Sequence, residues 1–473
     1  MAAQTFLKML ALAGSVSAST LYSTYNFNPL EHLAGIAPYF EPQDPSISPD
    51  APQGCVAERA AYLVRHSAIY ANDFDFKTYI EPFLEKLDNK TGIKWNRVPD
   101  LSFLDDWEAP VSDDEVSILT RVGRLEATRL GVDINFRYPY LRDPKRIWTS
   151  SAERTVKAAK SLVRGLQSDE ETINVVEIPE GSESGADSLT PYKACPGYSG
   201  STGSDESSKF QERYAKPLVA RFNDLAPDFN FTINDVFGMQ QLCGYETVIR
   251  GKSPFCDLDL FKSDDWLGWE YAEDVRYHYN VGYGNKISGP VGLPWLNATA
   301  ELLLDNNAGK DAEDLYVSFT HRELPPMVVV AMGLFNNSEF SGANNINETM
   351  PLDRINYRRA WKSSNILPFL GNIAIERFNC TDAPGYDDDE YYRVLVNSAP
   401  QPLPGCSDGP GTMCSRDGFN EYLEERMSAF DEGFSDACGV EYDNSTDSLS
   451  IYTDKSVGNG TAVDKRYNAF QLE

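Results

Sequence analysis

Two short apolar runs in this 473-residue chain, AAYLVRH (60–66) and DLYVSFTH (314–321), read as β-strands that each end abruptly in charge at a histidine. After the first, KRIWT (145–149) and NVVEI (174–178) read as further strands. Between them SAERTVKAAKSLVRGL (151–166) reads as a helix capped by Ser150 or Ser151, with Val156, Ala159, Val163 and Leu166 on one face. After the second, PPMVVVAMGLF (325–335) reads as a helix started by proline. Residues from about 209 to 305 are helical and aromatic in pattern, with Trp266, Trp269, Tyr271, Tyr277 and Tyr279. Strand–helix alternation on both sides of a helical block predicts an α/β fold, a central mostly parallel sheet flanked by helices with an inserted α-helical domain. The predicted division is 19–189 with 306–473 as a discontinuous α/β domain, and 190–305 as the insertion. Ser112-x-x-Glu115 is a capping box predicting a helix start, with Val116, Leu119, Val122 and Leu130 at helical spacing and Gly131 as its stop. Residues 181–208, rich in Ser, Gly, Asp and Glu, read as a flexible surface loop.

In open α/β sheets, ligands collect at the carboxyl ends of the strands, so the two strand ends are predicted to face one crevice. The chain has four histidines. His66 and His321 stand at those ends; His32 and His278 have no comparable context and read as structural. Lys and Arg number 42 against 71 Asp and Glu, a net charge of −29. That charge argues against nucleic acid or an anionic membrane as partner. Any phosphate chemistry must therefore rest on a local cluster of Arg and His. With 41% hydrophobic and 12% aromatic residues, wholesale disorder is excluded.

Residues 1–18, MAAQTFLKMLALAGSVSA, read as a signal peptide with a small-residue cleavage site at Val16-Ser17-Ala18, which predicts secretion. Eight N-x-[ST] sequons, at Asn89, Asn230, Asn297, Asn336, Asn347, Asn379, Asn444 and Asn459, predict glycosylation. Eight cysteines suit four disulfides, and with no C-x-x-C pair a zinc site is disfavoured. Spacing favours Cys243–Cys256 and Cys406–Cys414; Cys55, Cys195, Cys380 and Cys438 leave three connectivities open.

Four ordered blocks carry a resemblance. They are Arg65-His66-Ser67-Ala68-Ile69-Tyr70-Ala71, LTRVGRLEATRLG (119–131) with RIWTSSAERTVKAAKSLVRGL (146–166), YHYNVGYGNKISGPVGLPWLN (277–297), and VSFTHRELPPMVVVAMGLF (317–335). In this order, over roughly residues 50–440, the chain resembles the histidine acid phosphatase family of the phosphoglycerate mutase-like superfamily, particularly its secreted fungal phytases and acid phosphatases. The resemblance implies a phosphomonoesterase acting on phosphate esters, inositol phosphates included, through a phosphohistidine on His66. Arg65, Arg154 and His321 then match phosphate-binding positions, and no metal or organic cofactor is needed. It further implies the pairs Cys55–Cys380 and Cys195–Cys438.

The chain departs from the family pattern where it matters chemically. Ile69 replaces the motif's second arginine, Ser67 its glycine and Ala71 its proline. Losing one charge-assisted anchor lowers the rate by orders of magnitude, so a repurposed binding protein is the alternative implied. Where most relatives have Asp after the second histidine, Arg322 stands here, followed by Glu323. The His-x-Glu order resembles the multiple inositol polyphosphate phosphatases and makes Glu323 the candidate proton donor; Arg322 is the candidate replacement for the missing positive charge. For the broad basic mouth that a polyphosphate needs, only Arg276 and Lys286 offer themselves.

Overall fold

The computed structural model describes residues 27–42, 47–90, 92–166, 172–306, 312–337, 349–386, 389–442 and 445–464. The predicted signal peptide and the sequons at Asn347 and Asn444 lie outside the described residues. Asn89, Asn230 and Asn459 are exposed; Asn297, Asn336 and Asn379 are partly covered.

Nine strands form one sheet: β1 (Val56–Arg65), β2 (Arg146–Ser150), β3 (Thr172–Ile178), β4 (Leu315–Thr320), β5 (Asn372–Asn379), β6 (Glu390–Val396), β7 (Ala399–Gln401), β8 (Cys414–Ser415) and β9 (Thr461–Asp464). Their order is β7-β6-β5-β1-β4-β2-β3-β9, with β8 paired to β6. β1, β4, β2 and β3 run parallel, and every other pairing is antiparallel, so the sheet is mixed with a parallel centre. β4 is buried along its whole length and β1 over its second half. That burial explains why both read as continuous apolar runs without alternation.

The helices are α1 (Glu81–Asn89), α2 (Arg121–Arg137), α3 (Glu153–Gly165), α4 (Ser204–Leu225), α5 (Ile233–Arg250), α6 (Ser263–Asn280), α7 (Ser288–Leu304), α8 (Leu324–Ala331) and α9 (Arg416–Ala429). α3 packs on β2, β3 and β4. α7 packs on α8 and against β1 and β5, whereas α4, α5 and α6 pack on one another and α1 joins them through α5. Four disulfides join Cys55 to Cys380, Cys195 to Cys438, Cys243 to Cys256 and Cys406 to Cys414. Among the described residues no helix is long and apolar enough to cross a membrane.

The structure corrects four local expectations. The Ser112–Glu115 capping box exists but closes only a short 3-10 turn, Asp113–Glu115. Ser117 then turns the chain at φ 65°. The long helix starts at Arg121 instead, with the Thr120 hydroxyl accepting from the Gly123 N–H. Gly131 does not stop it. A Cβ there would lie 2.3 Å from the Leu162 carbonyl oxygen, so the glycine lets α2 and α3 cross closely in mid-helix. α3 begins one residue later than expected, with Ala152 at its N-cap and no side-chain cap. The stretch 181–208 is not an open surface loop: Leu189, Tyr192, Ala194 and Cys195 are buried, and α4 already starts at Ser204.

Two histidines sit in the framework. His32 stacks on Phe27 and pairs through Nδ1 with Glu270 at 3.2 Å. His278, on α6, is buried beside Trp361 with neither ring nitrogen hydrogen-bonded, and burial holds it down at about 3. A histidine depressed in the folded state contributes stability above its unfolded value near 6.5 and loses it as pH falls toward the folded value. His278→Leu is therefore expected to unfold less readily in acid than the wild-type chain. The relative gain should grow from near zero at pH 7 to about 2–4 kcal/mol at pH 4. Urea unfolding at the two pH values measures it, and a pH-independent difference would refute the assignment.

Candidate active site

The parallel pairing aligns Arg65 with Thr320, so the residues that follow, His66 and His321, emerge side by side. The His66 N–H donates to the Thr320 carbonyl at 2.9 Å, and its own carbonyl accepts from the Leu370 N–H at 3.2 Å. The rings of His66 and His321 stand 5.6 Å apart, edge to face, and both residues are only 3% exposed.

One hydrogen bond decides what His66 can do. Its Nδ1 lies 2.9 Å from the Ser67 carbonyl oxygen. A carbonyl only accepts, so Nδ1 carries the proton and the Nε2 lone pair is free to attack. Burial, then the charges of Arg65 and Arg154, then His321, hold His66 well below the ordinary histidine range. The ring therefore stays neutral in acid.

Arg65 is fixed from behind. Its Nη1 donates to the carbonyls of Gly35, at 2.6 Å, and Leu367, at 2.7 Å, and its guanidinium lies 4.6 Å over the Phe369 ring. Burial lowers it to about 10, which leaves it charged at any working pH. Its Nε is buried without a partner, as is that of Arg154, which projects from the first turn of α3 toward the two histidines. Two buried cationic donors close to an imidazole with a free nitrogen make a pocket suited to an anion.

Ile69 is 3% exposed and its backbone bridges to Leu119. The position that would supply another cation supplies packing instead. Arg322 bonds Glu323 through Nε at 3.0 Å and lies 5.9 Å over the Tyr277 ring of α6. Its charge acts on Arg65, so it lies beside the pocket, yet it is already engaged by a carboxylate. Against burial, which pushes it up, Arg322, His321 and Arg65 hold the Glu323 carboxyl below its ordinary value.

Farther out, Arg276 is buried, with Nη1 3.5 Å from Glu273, and Lys286 is exposed. Burial raises Glu273 to about 7. Asp75 accepts from the Tyr245 hydroxyl at 2.6 Å, and the Tyr245 ring reaches Phe369 at 6.4 Å. The surroundings of Arg322 and Arg276 are thus aromatic, with carboxylates set against the cations.

Sequence reasoning missed Glu180. It lies two residues beyond β3, with Oε1 2.7 Å from His321 Nε2. The strand-end rule that singled out the histidines applies to it equally, but one more glutamate in so acidic a chain drew no notice. The Ser67, Gly35 and Leu367 carbonyls have no signal in sequence, because any residue can supply them.

Residues 63–397 match the histidine phosphatase superfamily (branch 2). The chain is 31% identical to acid phosphatase PHO1 of Komagataella pastoris, over 88% of this chain and 87% of that protein. It is 30% identical to phytase PHO112 of Candida albicans over 91% of each. The crystal structure of the phytase from D. castellii superposes with a TM-score of 0.82 at 26% identity, covering 95% of both chains. A multiple inositol polyphosphate phosphatase from Bifidobacterium longum shares the fold, with a TM-score of 0.57 at 14% identity over 83% of this chain and 97% of that one. A sheet with histidines at two adjacent parallel strand ends and arginines beside them defines a histidine phosphatase site. This chain belongs to branch 2 of the histidine phosphatase superfamily.

The loop that follows His66 is pinned by α2. The Thr120 N–H and hydroxyl both donate to the Ala68 carbonyl, and a Cβ on Gly123 would sit 2.2 Å from that same oxygen. Gly123→Ala must push residues 67–69 away from the arginines. Displacements of this size weaken site geometry by about 100-fold. Orthophosphate affinity, measured by calorimetry, is expected to fall at least about tenfold, and an unchanged affinity would show that α2 does not set the loop.

Proposed function

We propose that this protein is a secreted, glycosylated phosphomonoesterase that hydrolyses phosphate esters through a phosphohistidine on His66. The reading is carried by the Ser67 carbonyl on Nδ1, which leaves Nε2 of a buried neutral imidazole free in the field of two arginines. Residues 19–189 with 306–473 carry the chemistry, and the helices of 190–305 supply the mouth.

In the first step His66 Nε2 attacks phosphorus, the bond to the ester oxygen breaks, and Arg65 and Arg154 hold the equatorial oxygens with His321. Glu323 gives its proton to the departing alkoxide. It then takes one from the water that cleaves the phosphohistidine and releases orthophosphate. Phosphate itself raises Glu323, because a bound anion opposes a second negative charge beside it.

The charge arrangement favours an ester bearing one phosphate. Arg322 and Lys193 each face their own carboxylate, Glu323 and Glu180. Arg65 and Arg154 retain unpartnered buried donors, enough for a single phosphoryl group. An inositol polyphosphate would have to displace carboxylates from the other cations.

Glu323→Gln separates the steps. With p-nitrophenyl phosphate, whose leaving group needs no proton, kcat/KM, which reports only the steps up to release of the alcohol, should fall only a few-fold. With an alkyl phosphate it should fall by about 100-fold or more. Equal losses on both would remove Glu323 as the acid. His66→Ala should abolish turnover and the acid-labile phosphoenzyme alike, and inositol hexakisphosphate should be the poorer substrate by kcat/KM. Residual turnover through a phosphoenzyme in His66→Ala would sink the reading as a whole.

A further inference from the structure

His321 has its two nitrogens in unequal states. Nε2 lies 2.7 Å from Glu180 Oε1, while Nδ1 is buried without a hydrogen-bond partner. Glu180 is itself fixed, its other oxygen paired with Lys193 Nζ, and the Ser150 hydroxyl stands 3.5 Å from the same His321 nitrogen. Glu180, Ser150 and His321 stand at or just beyond the carboxyl ends of β3, β2 and β4, three strands adjacent in the sheet.

An ionised carboxylate only accepts, so Nε2 carries a hydrogen. A neutral ring then presents a lone pair at Nδ1, which repels a phosphoryl oxygen. Only the imidazolium donates from both nitrogens, and a carboxylate on one side favours that form. We propose that Glu180 is a positioning residue that holds His321 as a doubly protonated donor once a phosphoryl group is bound, adding a third cation beside Arg65 and Arg154. The extra proton enters from solvent with the substrate. The position that Ile69 leaves without charge is thereby offset from another strand.

The groups facing His321 set the balance. Glu180, and Glu323 while it is ionised, favour its charged form; burial, Arg154 and His66 oppose it. Lys193 opposes it indirectly by neutralising Glu180 from the far side. The two partners thus act with opposite sign, which a merely structural contact would not do.

The inference rests on the phosphatase reading, and the test separates the two. The kcat/KM of p-nitrophenyl phosphate is followed against pH in wild type, Glu180→Gln and Lys193→Met. Glu180→Gln keeps size and hydrogen-bonding capacity but loses charge. Its alkaline limb is expected about one pH unit or more lower, and its orthophosphate affinity at pH 5 at least about tenfold weaker. Lys193→Met should move the limb to higher pH. An unmoved limb in either folded variant overturns the proposal, and should Glu180→Gln fail to fold, Lys193→Met decides alone. If the wild-type protein turns over no ester, the phosphatase reading fails. The His321 titration, followed by NMR in a chain of four histidines, then decides the proposal: a fall in Glu180→Gln with a rise in Lys193→Met supports it, and no movement overturns it.

Discussion

The site depends on one piece of sheet register. β1 and β4 pair in parallel although most of the chain's length separates them, and Arg65 lies against Thr320. The His66 N–H then bonds the Thr320 carbonyl, which fixes the backbone of His66 to the strand that delivers His321. A slip by one residue would turn every side chain to the opposite face of the sheet and part the two rings. The Cys55–Cys380 bridge ties β1 to the end of β5, so the second neighbour of β1 is held covalently at the far end of the strand. The carboxyl end is thereby left to the chemistry.

What sequence made legible follows from that register. Buried parallel strands must be apolar throughout, so β1 and β4 stood out, and the charges that end them stood out with them. Arg65, His66, Arg154 and His321 meet in one buried cluster. What sequence concealed depends on backbone atoms and distant partners. The tautomer of His66 is set by a carbonyl, Arg65 is aimed by carbonyls from Gly35 and Leu367, and Glu180 is indistinguishable in pattern from its exposed neighbours. The misplaced start of α2 has a similar cause. The Ser112–Glu115 box is locally sound, but the chain must reverse at Ser117 to bring Thr120 under Ala68, and tertiary packing overrides the cap.

A chain of net charge −29 that binds phosphate must confine its positive field. Here confinement is achieved by pairing. Arg322 and Lys193 are matched by Glu323 and Glu180 at 3.0 Å or closer, so their fields largely cancel at a distance. Burial then does the selecting, because Arg65 and Arg154 hold unpartnered donors in a site of low dielectric where one anion of the right shape recovers what water would have given.

The same logic bears on Glu323, the proposed proton donor. In the empty pocket Glu323 is ionised, because Arg322, His321 and Arg65 outweigh its burial. An ionised carboxylate cannot protonate a leaving group. The entering phosphoryl group brings its negative charge to the very cations that keep Glu323 ionised, and neutralising them removes their hold. Burial, the largest single influence but until then outweighed by the cations together, becomes decisive and favours the protonated acid. Substrate binding and proton uptake are therefore one event at this site, and low pH assists it without protonating His66, whose proton affinity is lowered by burial and by the same arginines. The arrangement separates a base that must remain unprotonated from an acid that must not, although both lie among the same charges.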